Sequence, residues 1–199
     1  MNEVTIAAFN QFAEQYADFT FPNILQYELN RFISLIPKKA KILDLACGSG
    51  RDVHYFMDYG YEVIGIDASE NIIKEAKERV PEGDFKVMHL ESLDFPKEFF
   101  DAIWALDAIS FLKKTGLPKV LATLHTLLKP KGIIFISVRQ GEEEKEIEYE
   151  KLGKSKIKIS FFTQKELERS LVNAGFEIHN SFIQKGEDFT WINAYAKKK

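Results

Sequence analysis

The residues best suited to chemistry form a short glycine-containing segment followed at a distance by an acid. The segment is Asp44-Leu45-Ala46-Cys47-Gly48-Ser49-Gly50, and Asp67 lies at the end of the next predicted strand. Glycine lets the backbone turn tightly and approach a ligand closely, and open α/β sheets bind ligands at the carboxyl ends of parallel strands. A carboxylate at the position of Asp67 can accept hydrogen bonds from both hydroxyls of an adenosine ribose. The spacing predicts a site for an adenosine-containing ligand; a purely structural turn is the alternative.

Two ligands of this kind fit such a turn, a dinucleotide and S-adenosylmethionine. Val53 stands where the dinucleotide fingerprint needs a third small residue for close packing of helix on strand. That fingerprint also does not require an acidic residue at position 44. The methionine end of a sulfonium cofactor is cationic, and a nearby carboxylate attracts it. The sequence therefore favours S-adenosylmethionine, with S-adenosylhomocysteine as its product, over the nicotinamide cofactor of an oxidoreductase.

Alternating strands and helices must position the turn and the acid. Apolar runs separated by helical patterns predict βαβ units, and hence a parallel sheet with helices on both faces. The predicted strands cover residues 41–45, 62–67, 85–88, 101–106 and 132–138, and the predicted helices cover residues 52–59, 70–80 and 117–128. Two later extended runs, residues 176–184 and 189–196, are joined by a loop too short for a helical crossover, so they must be antiparallel neighbours. The predicted fold class is α/β and Rossmann-like.

Two segments depart from this alternation. Apolar residues at steps of three and four predict helices over residues 5–19 and 23–36. The acidic run 142–146 and residues 151–160 interrupt the rhythm, and the alternating Ile157 and Ile159 predict a short strand or a hairpin arm on the sheet. Residues 140–162 are therefore a candidate flap. Thr163 is expected to cap a helix over residues 166–174.

Composition places these elements in one domain spanning residues 1–199. The chain is 45% hydrophobic and 29% charged with a net charge of −3, which argues against a nucleic-acid partner. A single cysteine, Cys47, excludes an internal disulfide and fits a reducing compartment. No apolar run approaches the ~18 residues needed to cross a membrane, and no signal peptide is evident. We expect a cytoplasmic protein with no membrane partner, whose oligomeric state the sequence leaves open.

Several motifs resemble those of the class I S-adenosylmethionine-dependent methyltransferases, in particular their small prokaryotic members. The run from Ile42 to Asp52 is similar to the first family motif, and Val63-Ile64-Gly65-Ile66-Asp67-Ala68-Ser69 to the second. Residues 100–105 resemble the fourth strand, and residues 127–132 the turn before the fifth. The resemblance implies a seven-stranded mixed sheet with an antiparallel last strand, and an N-terminal helical lid at residues 1–38.

The resemblance also implies a role for each matching residue. The methionine end of the cofactor would be held by Asp44, Ala46, Cys47, Gly48, Gly50 and Arg51. Asp67 would bind the ribose hydroxyls, with Ala68 and Ser69 beside the adenosine. The adenine would be gripped by His89, Leu90 and Glu91, and the transferred methyl flanked by Leu106 and Asp107.

Three positions depart from the family pattern. Ala46 replaces the first glycine of the turn, which we expect to be a mild change because alanine is small. His89 replaces an aspartate that accepts from the adenine in many relatives, so that either His89 or Glu91 is expected to make this contact. Phe111 stands where close relatives often carry a histidine.

Methyl transfer requires orientation more than acid–base chemistry, because the leaving group is already activated. Proximity and orientation supply on the order of 7–11 kcal/mol. The candidates for catalysis are Tyr16, as a lid residue or a core aromatic, and Asp107, as an acceptor-orienting group or a helix cap. Arg139 is expected either to hold an anionic acceptor or to form a surface ion pair with residues 142–146. The four histidines lack metal-ligand spacing, so no metal is expected.

The sequence thus predicts a methyltransferase that uses S-adenosylmethionine and methylates an oxygen, nitrogen or sulfur atom of a small molecule. One alternative is a cofactor-binding regulatory protein without turnover, which the departures at His89 and Phe111 keep open. The other is methylation of RNA or protein, for which the basic strip at residues 151–158 is a candidate contact with a phosphate backbone.

Overall fold

Three short helices begin the part of the chain that the computed structural model describes, residues 2–199. They are α1 (Glu3–Gln11), α2 (Ala13–Thr20) and α3 (Gln26–Leu35). The single helix predicted over residues 5–19 is wrong, because the backbone leaves the helical region at Phe12 (φ −114°, ψ 28°). This break sets the Phe12 ring directly against Gly153, where a Cβ atom would lie 2.5 Å from the ring. A packing contact distant in sequence therefore interrupts the local helical pattern.

The central sheet has seven strands, and its last strand is antiparallel, as predicted. The nine strands of residues 2–199 are β1 (Lys41–Leu45), β2 (Glu62–Asp67), β3 (Asp84–Val87), β4 (Phe100–Leu106), β5 (Leu128–Arg139), β6 (Glu144–Tyr149), β7 (Ser155–Ser160), β8 (Phe176–Lys185) and β9 (Thr190–Lys198). The order across the sheet is β3-β2-β1-β4-β5-β9-β8. Strand β9 is antiparallel to both β5 and β8, whereas β1 to β5 are mutually parallel.

Helices cover both faces of this sheet and give two hydrophobic cores. The remaining helices are α4 (Arg51–Asp58), α5 (Glu70–Arg79), α6 (Leu117–Leu127) and α7 (Gln164–Asn173). On one face, α3, α4 and α5 pack around Phe56 and Trp104. On the other, α6 and α7 pack against the same strands through Leu121, Leu124 and Leu171. The predicted caps are confirmed, since Ser69 accepts from the N–H of Ile72 and Thr163 accepts from the N–H of Glu166.

A third, smaller core joins the N-terminal helices to a hairpin. Strands β6 and β7 pair with each other and form a separate two-stranded sheet, so the hairpin is confirmed but does not extend the main sheet. One face of the hairpin carries Tyr149, Ile157 and Ile159, which are buried against Phe9 and Ala13. This apolar face needs a partner of its own, and α1 and α2 provide it. We call α1, α2 and the β6–β7 hairpin the cap.

Within residues 2–199, no helix is both long enough and apolar enough to span a membrane.

Candidate functional site

The glycine segment forms a tight turn between β1 and α4. Its backbone is left-handed at Ala46 (φ 53°), Gly48 (φ 55°) and Gly50 (φ 80°). At Gly50 a Cβ atom would lie 2.8 Å from the Phe85 ring, so this glycine lets the turn pack closely on β3. At Gly48 a Cβ atom would lie 3.5 Å from the Tyr16 ring, which therefore lies directly over the turn. The two glycines therefore have different neighbours: Gly50 packs against the Phe85 ring, and Gly48 lies beneath the Tyr16 ring.

The cost of having alanine at position 46 comes from its backbone conformation and not from the size of its side chain. We expected the change from glycine to be mild because alanine is small. The observed φ of 53° is one that an L-residue adopts at a cost of about 1–2 kcal/mol. Because the backbone N–H of Cys47 donates to the carbonyl of Ile66 at 2.9 Å, the turn is fixed in this conformation by β2.

An acidic pair lies where β1 ends and α4 begins. Asp44 is 2% exposed, and its Oδ2 atom has no hydrogen-bond partner among residues 2–199. Asp52 accepts from Trp104 Nε1 at 2.9 Å and pairs with Arg51 at 2.6 Å. Burial, reinforced by the neighbouring Asp52, raises the pKa of Asp44 well above its usual range. A buried carboxylate oxygen without a partner is suited to a ligand that brings a cationic group.

Asp67 ends β2 and has backbone partners for both of its oxygens. Oδ1 accepts from the N–H of Ser69 at 2.9 Å, and Oδ2 accepts from the N–H of Gly48 at 3.4 Å. Burial raises the pKa of Asp67 to about 6, although these backbone hydrogen bonds lower it. Asn10 of α1 lies nearby, because its Oδ1 accepts from Ser69 Oγ at 2.7 Å and from the N–H of Asn71 at 3.1 Å.

A cavity of about 620 Å³ extends from the glycine turn between the cap and the last two strands. The predicted residues that line it are Tyr16, Asp44, Ala46, Cys47, Gly48, Arg51, Leu106 and Asp107. The predicted residues outside it are Gly50, Asp67, Ala68, Ser69, His89, Leu90 and Glu91. In this second group His89 and Glu91 are exposed, whereas Leu90 is buried in the sheet core. The structure thus brings the methionine-side residues other than Gly50 onto one cavity and leaves the adenosine-side residues outside its lining.

The expectation that Arg139 forms a surface ion pair with residues 142–146 is wrong, because Arg139 is buried and pairs with Asp107. Its side chain is 1% exposed, and its Nη2 atom lies 2.6 Å from Asp107 Oδ2. Four aromatic rings surround the guanidinium, at 4.2–5.7 Å from their centres, and they belong to Phe111, Tyr149, Phe189 and Trp191. Burial opposes the charge on Arg139, but Asp107 outweighs it, so that the pKa of Arg139 is raised.

Asp107 is not a helix cap, because its backbone is left-handed at φ 56°. Its N–H donates to the carbonyl of Ser137 at 3.0 Å, which holds the loop after β4 against the end of β5. Arg139 Nε donates to both carboxylate oxygens, at 3.1 and 3.2 Å. The Asp107 carboxylate is therefore held in one orientation at the wall of the cavity.

The far wall of the cavity contains residues that sequence reasoning did not select. Ser137 and Asn193 are register partners on β5 and β9, and both are buried. Asn193 Nδ2 donates to Gln184 Oε1 at 2.9 Å, which links β9 to β8. These three polar residues, together with Glu28 from α3, line the cavity. The available signal was a serine and an asparagine inside otherwise apolar strands, where an unexplained polar residue often faces a ligand.

No group of three or more metal-ligating side chains lies together in residues 2–199.

Comparison with known proteins finds similarity to methyltransferases. Residues 42–132 match the family described as "Methyltransferase domain". An uncharacterized methyltransferase of Synechocystis is 33% identical over 93 residues, which are 47% of this chain and 44% of that protein. The chain spans about half the length of the curated relatives it matches.

Two solved structures share nearly the whole fold. A methyltransferase of Methanosarcina mazei, described as S-adenosylmethionine-dependent, superposes with a TM-score of 0.77 at 20% identity, covering 84% of this chain and 96% of its own. The 1,6-didemethyltoxoflavin-N1-methyltransferase of Burkholderia thailandensis, with S-adenosylhomocysteine bound, gives a TM-score of 0.73 at 20% identity and covers 98% of this chain and 88% of its own. Residues 42–132 thus match a methyltransferase domain, and the fold is similar to the folds of solved S-adenosylmethionine-dependent methyltransferases.

Proposed function

We propose that this protein transfers a methyl group from S-adenosylmethionine to an oxygen, nitrogen or sulfur atom of a small molecule. The observation that carries the proposal is a single cavity that joins the glycine turn, with its unpartnered Asp44 oxygen, to a polar wall built by β5, β8 and β9. Its volume of about 620 Å³ is within the usual range for small-molecule sites.

The residues present suit the cofactor at its methionine end. The unpartnered Oδ2 of Asp44 is suited to an ammonium group, and Arg51 at the start of α4 is suited to a carboxylate. The turn from Ala46 through Cys47 and Gly48 lets the backbone approach closely, with Gly50 allowing that turn to pack.

At the adenosine end the assignment rests on the family resemblance. We assign the ribose hydroxyls to Asp67 and the adenosine ring to Ala68, Ser69 and the segment of His89, Leu90 and Glu91. These residues lie outside the cavity, and Asn10 of α1 is hydrogen-bonded to Ser69. We therefore propose that α1 moves when the cofactor binds, so that the cap acts as the lid and flap of a single domain.

When bound, the cofactor supplies a methyl group on a sulfonium that is already an activated leaving group. The protein's part is to align the acceptor and to exclude water, and orientation alone is worth on the order of 7–11 kcal/mol. Asp107, fixed by Arg139, is placed to accept a hydrogen bond from an acceptor O–H or N–H. Tyr16 closes the turn side of the cavity, since its ring lies over Gly48.

A binding experiment tests the cofactor site. We expect micromolar binding of S-adenosylhomocysteine by calorimetry, weakened at least tenfold in Asp44→Asn, because the ammonium group then loses an ionised partner. Asp58→Asn, an exposed acid on α4, is the matched control and should bind like the wild type. Equal affinity in Asp44→Asn and the wild type would contradict the assignment of Asp44.

A transfer experiment tests the activity itself. The protein is incubated with methyl-labelled S-adenosylmethionine and cell extract, which is then separated into small molecules, RNA and protein. Label in the small-molecule fraction is the expected result. Label in RNA or protein would move the function to a macromolecular acceptor, and binding without any transfer would identify a regulatory protein.

A further inference from the structure

We propose that the methyl acceptor carries an aromatic or heteroaromatic ring and no negative charge. This inference rests on the proposed methyltransferase function and concerns the part of the cavity beyond the glycine turn. Three properties of that part carry it: its charge, its aromatic side chains and its uncharged polar wall.

Acidic side chains outnumber basic ones around the cavity. Six carboxylates line it, against two basic side chains, Arg51 and Lys151: Glu28, Asp44, Asp52, Asp107, Glu187 and Asp188. Neither base is left for the acceptor: Arg51 pairs with Asp52 at 2.6 Å and is assigned above to the cofactor carboxylate, and Lys151 pairs with Asp188 at 3.5 Å. Asp52, Asp107 and Asp188 are also in ion pairs, and Asp44 is assigned to the cofactor. An anionic group entering this space would find no unpaired cation on the cavity wall and would face Glu28 and Glu187, which form no ion pair within residues 2–199.

Arg139 does not change this balance. Its charge is committed to Asp107, with which it makes three hydrogen bonds of 2.6–3.2 Å, and it is not itself a lining residue. The expectation that Arg139 holds an anionic acceptor would require this buried pair to break. Separating a buried pair leaves an uncompensated charge on Asp107 facing the same acceptor.

Flat aromatic side chains form part of the cavity wall. Five of them line the cavity: Tyr16, Phe19, Tyr149, Phe189 and Trp191. Phe189 and Trp191 lie edge to face with ring centres 6.1 Å apart, and the Arg139 guanidinium stacks 4.2 Å from the Phe189 centre. Rings held in this way offer fixed surfaces for stacking, and electron-rich faces attract cations and repel anions.

The polar wall recognises uncharged groups. Because Asn193 and Gln184 are linked by one hydrogen bond, they have one carbonyl and one amino group left over, whichever way the two amides are turned. Ser137 makes no side-chain hydrogen bond to any of residues 2–199, and its hydroxyl can donate or accept. A donor and an acceptor side by side match the edge of a ring that carries nitrogen or hydroxyl groups.

The test uses three probes with the same indole ring and a different charge: tryptamine, tryptophol and indole-3-acetate. Each is titrated calorimetrically into the protein saturated with S-adenosylhomocysteine. We expect tryptamine to bind at least tenfold more tightly than indole-3-acetate, with tryptophol between them. Equal or tighter binding of indole-3-acetate would overturn the proposal, and so would failure of all three probes to bind at millimolar concentration.

A charge variant tests whether the order of the three probe affinities arises from binding in this cavity. Glu187→Gln at the cavity mouth should weaken tryptamine two- to threefold and leave tryptophol unchanged. Glu177→Gln lies at the opposite end of β8 and is the matched control. An equal loss for both probes in Glu187→Gln would indicate a general disturbance and count against the proposal.

Because the protein is first saturated with S-adenosylhomocysteine, the experiment distinguishes failure of this inference from failure of the proposed function on which it rests. If S-adenosylhomocysteine does not bind, the proposed function fails. If it binds and the order of the probes is reversed, only the acceptor class fails.

Discussion

The two carboxylates that end β1 and β2 were both predicted from spacing, yet they have different surroundings. Asp44 has an oxygen without a partner, whereas both oxygens of Asp67 accept backbone hydrogen bonds. Burial nevertheless raises the pKa of Asp67 to about 6, so this acid changes charge within an accessible pH range. Because its folded pKa lies above the unfolded value near 3.9, Asp67 contributes stability below pH 4 that is lost as the pH rises through 6.

We predict that S-adenosylhomocysteine binds about tenfold more weakly at pH 5 than at pH 7.5. With a pKa of about 6, only about one Asp67 side chain in ten is ionised at pH 5, and the ionised form is the one that accepts from both ribose hydroxyls. Calorimetric titrations between pH 5 and 8 measure this dependence.

Asp67→Asn is the control for this prediction. It should bind weakly with a flatter pH profile, and it should unfold at higher denaturant than the wild type at pH 7, because it removes a buried charge. A wild-type affinity that does not change between pH 5 and 7.5 would contradict the assignment.

Residues that act through distant contacts were beyond the reach of sequence patterns. The glycine turn and Asp67 are local features of strand ends, and their positions followed from periodicity. The pairing of Arg139 with Asp107 depends on the register of β4 on β5 and on four rings from separate segments. The left-handed φ of Ala46 was missed for a related reason, because β2 and not the residue type fixes that turn.

Among the elements, the cap shows most clearly where local pattern and tertiary packing disagree. Periodicity predicted helix throughout residues 5–19, but packing of Phe12 on Gly153 divides this stretch into α1 and α2. Alternation at Ile157 and Ile159 correctly predicted the hairpin. That the hairpin packs on α1 instead of the main sheet could not be read from alternation, which identifies a buried face but not its partner.

We predict that Asn10→Ala loosens α1 without weakening the main sheet. The substitution removes the two hydrogen bonds that the Asn10 side chain accepts from Ser69 and Asn71, each worth about 1 kcal/mol. Hydrogen exchange of the unliganded protein should become faster over residues 3–20 and remain unchanged in β1 and β4.

Asn173→Ala, at the exposed end of α7, provides the comparison, and we expect its exchange to match the wild type. Faster exchange of Asn10→Ala throughout the sheet would show global destabilisation and argue against a lid that opens separately.

At the scale of the whole molecule, charge is balanced on the outside and negative in the cavity. On the hairpin, Lys156 lies opposite Glu148 and Lys158 lies opposite Glu146, so the basic strip noted in the sequence is neutralised by its own partner strand. Each of these two lysines therefore has an acid directly opposite it, and the net charge of the chain is −3.

We therefore predict no binding of single-stranded RNA at micromolar protein in 200 mM NaCl, as measured by fluorescence anisotropy. The double variant Glu146→Gln/Glu148→Gln frees the two lysines and should gain weak binding that falls as salt rises. Tight, strongly salt-dependent binding by the wild type would restore an RNA acceptor.

The walls of the cavity come from segments that lie far apart along the chain. Glu28 is joined to the last strand by the Tyr195 hydroxyl, which donates to its carbonyl at 3.2 Å across 167 positions. Synthesis at ~5–20 residues per second separates the emergence of Asp67 from that of Asn193 by about 6–25 s. During that interval a nascent chain already carries the acids assigned to the cofactor, while its acceptor wall does not yet exist. Under the proposed function, methylation therefore starts only when β9 has joined the sheet, and a chain stalled before β9 has no acceptor pocket.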